Sequence, residues 1–176
     1  MVNMGIDASS TCIGWSVFQN NKLIDYGKIL PYDNKSDWQN RLKSMSQEIS
    51  YIIDKYSPNK VYVEDVPLMK KGGMKTLVIL GAVQGFLIGI FNSRHIDVEF
   101  ISVSTWRKEI GLFTGNKEGL KREEMKQKSI EYSNNTFGIE LKWVSPSSKK
   151  NDDDIADAIN ICWSQIKPKE RGFKRG

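Results

Sequence analysis

At 176 residues the chain is long enough for one domain with a sizeable core, and 39% hydrophobic and 27% charged residues suit a soluble globular fold. Cys12 and Cys162 are isolated and His95 is the single histidine, which excludes a disulfide framework, a CxxC zinc site and a His-based triad. No apolar run is expected to approach the ~20 residues of a membrane span, no signal segment opens the chain, and a net charge of +5 points to a polyanionic partner.

Residues 2–8 read as a first strand, followed by the polar turn Ser9-Ser10-Thr11. Residues 12–18 give a second strand, Asn20-Asn21 a hairpin turn and residues 22–30 a third strand. Over residues 36–56, Trp38, Leu42, Met45, Ile49, Ile52, Ile53 and Tyr56 recur at helical spacing, and Pro58 ends the helix. Residues 60–64 form a fourth strand. Residues 73–91 form a long apolar helix whose Gly81, Ala82, Gly85 and Gly89 permit close packing, either on the sheet or against a second copy. A fifth strand spans 97–102, and Ser104 is placed to cap a short helix through Ile110. Residues 118–132 read as an exposed charged helix and 152–166 as the last helix, with Ile155, Ala158, Ile159, Cys162, Trp163 and Ile166 as its core stripe. The basic segment 167–176 is expected to be a disordered tail. A three-strand meander followed by alternating helices and strands predicts an α/β fold, a mixed five-stranded sheet flanked by helices, within one domain over residues 1–166.

Carboxylates stand out in three places: Asp7 after the first strand, Glu64 at the end of the fourth, and Asp152, Asp153, Asp154 and Asp157 on the last helix. Asp7 and Glu64 fall at the carboxyl ends of strands that can lie adjacent and parallel, the ligand-binding edge of such sheets. At roughly 100° per residue, Asp154 and Asp157 project about 60° apart on one flank, and Asp153 and Asp157 form an i, i+4 pair. Spacing leaves Asp153 and Asp154 open as alternatives, while Asp152 reads as a cap that complements the helix dipole. Like charges gathered together call for a neutralising cation, and an oxygen-only donor set suits Mg²⁺ or Mn²⁺. The chemistry indicated is metal-dependent phosphoryl transfer on nucleic acid.

The segments Gly5-Ile6-Asp7-Ala8-Ser9-Ser10-Thr11-Cys12-Ile13-Gly14-Trp15, Val63-Glu64-Asp65-Val66-Pro67 and Asp154-Ile155-Ala156-Asp157-Ala158-Ile159 resemble the RuvC-type Holliday junction resolvases of the ribonuclease H-like fold, in the right order over about residues 3–166. The resemblance implies a site of two Mg²⁺ (or Mn²⁺) ions held by Asp7, Glu64, Asp154 and Asp157, its Asp-x-x-Asp-Ala pattern selecting Asp154 over Asp153. It further implies a homodimer that makes paired symmetric nicks in four-way or other branched DNA, leaving 5′-phosphate and 3′-hydroxyl ends. Two departures stand out: Ala8-Ser9 replaces the usual Pro-Gly, and Pro67 stands where an aromatic residue contacts the junction centre. With the small size and the asparagine- and lysine-rich composition, they suggest a phage-encoded member acting in a bacterial host's cytoplasm.

By the same resemblance Lys121 would stabilise the charge on the transferring phosphate, as a catalytic residue, with Arg107, Lys108 and Arg122 nearby as DNA-binding residues. Lys70, Lys71 and Lys75, between the Glu64 strand and the long helix, are placed for further phosphate contacts. A solvated, salt-bridged helix face is an equal account of 121–124. Trp106 reads as a core anchor rather than a stacking platform. Two other functions compete. A noncatalytic branched-DNA-binding protein would use only the basic patches. An actin-like or sugar-kinase-like ATPase fragment would share the first motif, yet the chain has no Walker loop or Gly-x-Gly-x-x-Gly run, so no nucleotide cofactor is expected.

Overall fold

The computed structural model describes residues 1–66, 73–112, 121–146 and 148–168. Strands β1 (Val2–Ala8), β2 (Ile13–Gln19) and β3 (Lys22–Ile29) form an antiparallel meander. Its β2–β3 hairpin turns through Asn20 and Asn21, both at positive φ (50° and 63°). Two consecutive left-handed residues match the right-handed twist of the flanking strands, and asparagine tolerates that conformation. Strand β4 (Lys60–Glu64) then pairs parallel with β1, and β5 (Asp97–Ile101) pairs parallel with β4. The sheet order is β3-β2-β1-β4-β5, the mixed five-stranded arrangement expected from the pattern of elements.

The strands' alternation divides the core in two. Met4, Ile6, Ile13, Val17, Ile29, Val61 and Val63 project to one face. There they meet α1 (Trp38–Tyr56), through Leu42, Met45, Ile49, Ile52 and Ile53, and α2 (Met74–Asn92), through Val83, Leu87 and Phe91. Asp37 starts α1 by accepting a hydrogen bond from the Asn40 amide at 2.8 Å. On the other face lies α5 (Asp153–Ile166), with α3 (Val103–Glu109) and α4 (Arg122–Phe137) packed against it.

α5 sits on the sheet so closely that two glycines are required beneath it. A Cβ on Gly5 would lie 2.0 Å from the Ala158 carbonyl oxygen, and one on Gly14 2.0 Å from that of Asp154. Ser16 then donates a 3.0 Å hydrogen bond to the same Ala158 carbonyl. Sandwiched this way, α5 is buried on nearly all sides, including Asn160, Ile161 and Ser164, and the single apolar stripe expected for it was too narrow.

Other expectations need correction. The short helix α3 starts two residues earlier than predicted: Ser102, rather than Ser104, is the cap, accepting from the Thr105 amide at 3.2 Å. Among the described residues α4 begins at Arg122 and continues to Phe137, where Gly138 closes it at φ 65°. It is not simply a solvated helix, because Ser129, Ile130 and Ser133 are buried against α5. The expectation about apolar runs also fails. α2 is 19 residues long and, by length and composition, apolar enough to cross a membrane. The scattered glycines, Thr76 and Gln84 disguise this in the sequence; one side packs on the sheet and the other, with Val78, Gly81, Gly85 and Ile88, faces outward.

Candidate active site

The parallel pairing of β1 and β4 runs from Asn3–Lys60 to Ile6–Val63, so Asp7 and Glu64 are the next residue on each strand, side by side at the carboxyl edge. On its other side Asp7 pairs with Gly14, the glycine pressed against the backbone of Asp154. The Asp154 backbone thus lies against β2 next to Asp7, and Asp157 follows one turn on. The two neighbours that spacing left open have different surroundings. Asp153 turns to Lys126 of α4, in a 2.6 Å ion pair, whereas Asp154 lies close to the Cys12 side chain and raises its proton affinity.

Each of the four carboxyls is held by a specific partner or by none. Glu64 accepts a 3.1 Å hydrogen bond from the indole N–H of Trp106, which is fully buried. Asp157 accepts from the Ser129 hydroxyl and has the Arg107 guanidinium 3.9 Å away. Asp7 has neither cation nor donor among the described residues.

Burial and mutual repulsion raise the proton affinity of all four. Asp7 is held well above the usual carboxylate range by burial first, then by Glu64, Asp157, Asp154 and Asp153. Asp157 is pushed up to about 7, by burial and then by Glu64, against the opposing effects of Arg107 and Ser129. Burial raises Glu64, opposed by the Trp106 hydrogen bond and by the charges of Arg107 and Arg122. Asp154 is raised by burial and by Asp153. Such a set has too little positive charge around it.

That imbalance fits hard divalent cations, since every donor is a carboxylate oxygen. Among the described residues, no group of three or more His, Cys, Asp or Glu side chains is drawn together tightly enough to hold a metal ion.

The basic residues fall into three groups. Arg107 and Arg122 act electrically on the acidic site. Arg107 is turned inward rather than towards solvent: its guanidinium packs over Trp106 at 4.9 Å, and its Nε is buried without a hydrogen-bond partner. Lys75, Lys108 and Lys121 are exposed, with Lys121 just ahead of α4, where its own amide donates to Glu124. Lys70 and Lys71, like Pro67, lie outside the described residues. Asp152 stands at the N-cap position, but its carboxylate turns away from the helix to pair with Lys28 at 2.9 Å and to accept from the Lys142 amide. The cap expected of it is therefore a tie between β3 and the segment before α5.

Several residues at the site escaped the sequence reading. Trp106 was legible as a core residue, but a buried indole N–H needs an acceptor, and Glu64 supplies it. Ser129, Ser133 and Asn160 gave a weaker signal, as small polar residues interrupting helix faces that otherwise bury apolar side chains.

Residues 3–127 match the family described as crossover junction endodeoxyribonuclease RuvC. Curated relatives of that name are similar along most of the chain. The Fusobacterium nucleatum protein is 25% identical over 93% of this chain and 78% of its own length. The Dictyoglomus thermophilum protein is 25% identical over 97% and 99%. Among solved structures, T. thermophilus RuvC in complex with Holliday junction substrate superposes with a TM-score of 0.68, at 15% identity, covering 93% of this chain and 91% of that one. The mixed sheet and its five helices thus share the RuvC, ribonuclease H-like fold.

Proposed function

The chain belongs to the crossover junction endodeoxyribonuclease RuvC family, and from that premise we propose that it resolves Holliday junctions by metal-dependent hydrolysis at Asp7, Glu64, Asp154 and Asp157. The observation that supports this reading is that Asp7 and Glu64 end the adjacent parallel strands β1 and β4, that α5 crosses them with its backbone against Gly14, and that Glu64, Asp157 and Asp154 all raise the Asp7 carboxyl. Two Mg²⁺ or Mn²⁺ ions bound there would activate water and stabilise the leaving 3′ oxygen, yielding 5′-phosphate and 3′-hydroxyl nicks.

The chain's own residues divide the remaining work. Trp106 orients Glu64, and Ser129 holds Asp157. Arg107 balances the acidic cluster from within, so its part in phosphate binding is closer to the scissile bond than a backbone clamp. Arg122 adds positive charge on the same side. Lys121, ahead of α4, is the group assigned to the charge developing on the phosphate. Lys75, Lys108 and, outside the described residues, Lys70 and Lys71 are assigned to the flanking DNA backbone. A nine-residue stretch of helix at ~1.5 Å per residue carries Lys75 beyond Gln84, which itself reaches the end of β4 by hydrogen-bonding Asp65 at 3.2 Å.

Paired nicking requires two sites, and the outward side of α2 is our choice of dimer face. Met74, Val78, Gly81, Gly85 and Ile88 follow one another there at three- and four-residue steps and are exposed. An exposed apolar strip of this length marks an interaction surface. The same reading places the enzyme with DNA in the cytoplasm, the α2 strip covered by a second copy rather than by lipid.

The test is cleavage of a labelled four-way junction and a matched duplex in Mg²⁺, Mn²⁺ or EDTA. Metal-dependent paired nicks in the junction are expected. Asp7→Asn should lower the rate by about three orders of magnitude, the equivalent of roughly 4 kcal/mol of lost metal-borne stabilisation, while junction binding persists. Full cleavage by that variant would overturn the site, and binding without cutting in any metal would leave a DNA-binding protein.

A further inference from the structure

Between α4 and α5 runs a chain of polar side chains that reaches Asp157 from behind the acidic site. Ser133, Asn160 and Ser129 are fully buried, and Asp157 is 8% exposed. The Ser133 hydroxyl donates to Asn160 Oδ1 at 3.1 Å. Asn160 Nδ2 donates to the Ser129 main-chain carbonyl at 3.0 Å and to Ser129 Oγ at 2.8 Å. The Ser129 hydroxyl donates to Asp157 Oδ1 at 2.5 Å.

The direction of every bond follows from one fixed point. A carbonyl oxygen only accepts, so the Asn160 atom facing the Ser129 carbonyl must be the amide nitrogen. That nitrogen also faces Ser129 Oγ and occupies a lone pair there. Ser129 then has one proton left to give, and Asp157 Oδ1 is the acceptor in reach. Oδ1 is thereby engaged on the protein side, leaving Oδ2 on the side of Arg107, whose Nη2 lies 3.9 Å from it.

We propose that Ser129, oriented by Asn160, is a positioning residue that fixes the rotation of the Asp157 carboxylate for metal binding. The proposal rests on Asp157 being a metal ligand, as read above. An oriented donor behind a ligating carboxylate fixes its rotation before the ion arrives, and loss of such a partner costs about 10–100-fold in metal affinity. A purely structural role makes a different demand: Ser129 and Ser133 are equally buried on the same helix face, so both should then matter only for stability.

The experiment measures Mn²⁺ binding to the purified full-length protein by electron paramagnetic resonance of the free ion, with the Mg²⁺ dependence of junction cleavage alongside. Ser129→Ala is expected to weaken Mn²⁺ binding about tenfold and to raise the Mg²⁺ concentration needed for half-maximal cleavage, with the rate recovering at high Mg²⁺. Ser129→Thr, which keeps the hydroxyl, should restore binding, and Ser133→Ala should bind Mn²⁺ like the parent despite a comparable loss of thermal stability. Equal Mn²⁺ affinity in Ser129→Ala and the parent, with Asp157→Asn weakened, would overturn the positioning role alone. Unchanged binding in Asp157→Asn would overturn the metal site itself, and the inference with it.

Discussion

The two faces of the sheet are built to different ends. Against α1 and α2 the strands offer mainly hydrocarbon: Met4, Ile6, Ile13, Val17, Ile29, Val61 and Val63, closed over by leucine, isoleucine, methionine and phenylalanine, with Asp25 the polar exception, accepting from the Tyr56 hydroxyl. Against α5 the same strands offer Gly5, Gly14, Ser16, Asp7 and Glu64, and the helix answers with Asp154, Asp157 and Asn160. One face gains free energy with each side chain it buries. The other also buries an apolar cluster, with Phe18, Tyr62, Trp106 and Ile159 in it, but places beside it carboxylates whose charges repel. The difference teaches that stability and chemistry in this chain are separable across a single layer of strands.

The largest expected effect lies where the faces share a backbone. Gly5→Val places a side chain 2.0 Å from the Ala158 carbonyl oxygen, and this overpacking should cost more than about 4 kcal/mol, enough to prevent folding as judged by circular dichroism. Next comes Leu87→Ala, confined to the apolar face, which should lower stability by about 2–5 kcal/mol in urea titration without altering Mn²⁺ affinity. A change in affinity there would break the separation of the two faces.

Asp7→Asn has the opposite sign on stability. The Asp7 carboxyl is raised in the folded state, so folded protein binds the proton more tightly than unfolded protein does. Stability from this group is present below the ordinary carboxylate range near pH 4 and is lost as pH rises through the folded value. Without metal at pH 8, the variant should therefore be more stable than the parent by about 1 kcal/mol, a gain that disappears near pH 4. Added Mg²⁺ should stabilise the parent and not the variant, because only the parent gains binding energy on folding. Equal melting temperatures of parent and variant at pH 8 in EDTA would remove the electrostatic account of the α5 face.

The smallest effect on the fold is expected at Gly85→Glu. Nothing lies within 4 Å of a Cβ at this position on the outward side of α2, so folding should be within about 0.5 kcal/mol of the parent. Light scattering should nevertheless show monomers where the parent forms dimers. A dimer that survives the added charge would move the interface elsewhere.

Much of this molecule was readable before folding. The strand alternation, the Asn20-Asn21 turn and the apolar periodicity of α1 are local signals, carried by residues close in sequence, and they fix the elements and their order. Asp7 and Glu64 were legible because a carboxylate at the end of an apolar strand conflicts with the pattern preceding it. Other features had no local signature. Asp152 looked like a cap and became a partner of Lys28, more than a hundred positions away. Arg107 was read only as a DNA-binding residue, and nothing local signalled that it packs over Trp106 and approaches Asp157.

The sequence by itself determined the architecture and the composition of the acidic cluster, because periodicity and residue chemistry act within a few positions along the chain. Only the tertiary structure decided the different surroundings of the neighbouring aspartates. Gly14 must be free of a Cβ for α5 to approach, and that approach presses the Asp154 backbone against β2 while Asp153 pairs with Lys126. It also decided where each buried donor sends its proton. Hydrogen bonds between distant segments form only when their polar groups lose water together, which happens when the helices pack.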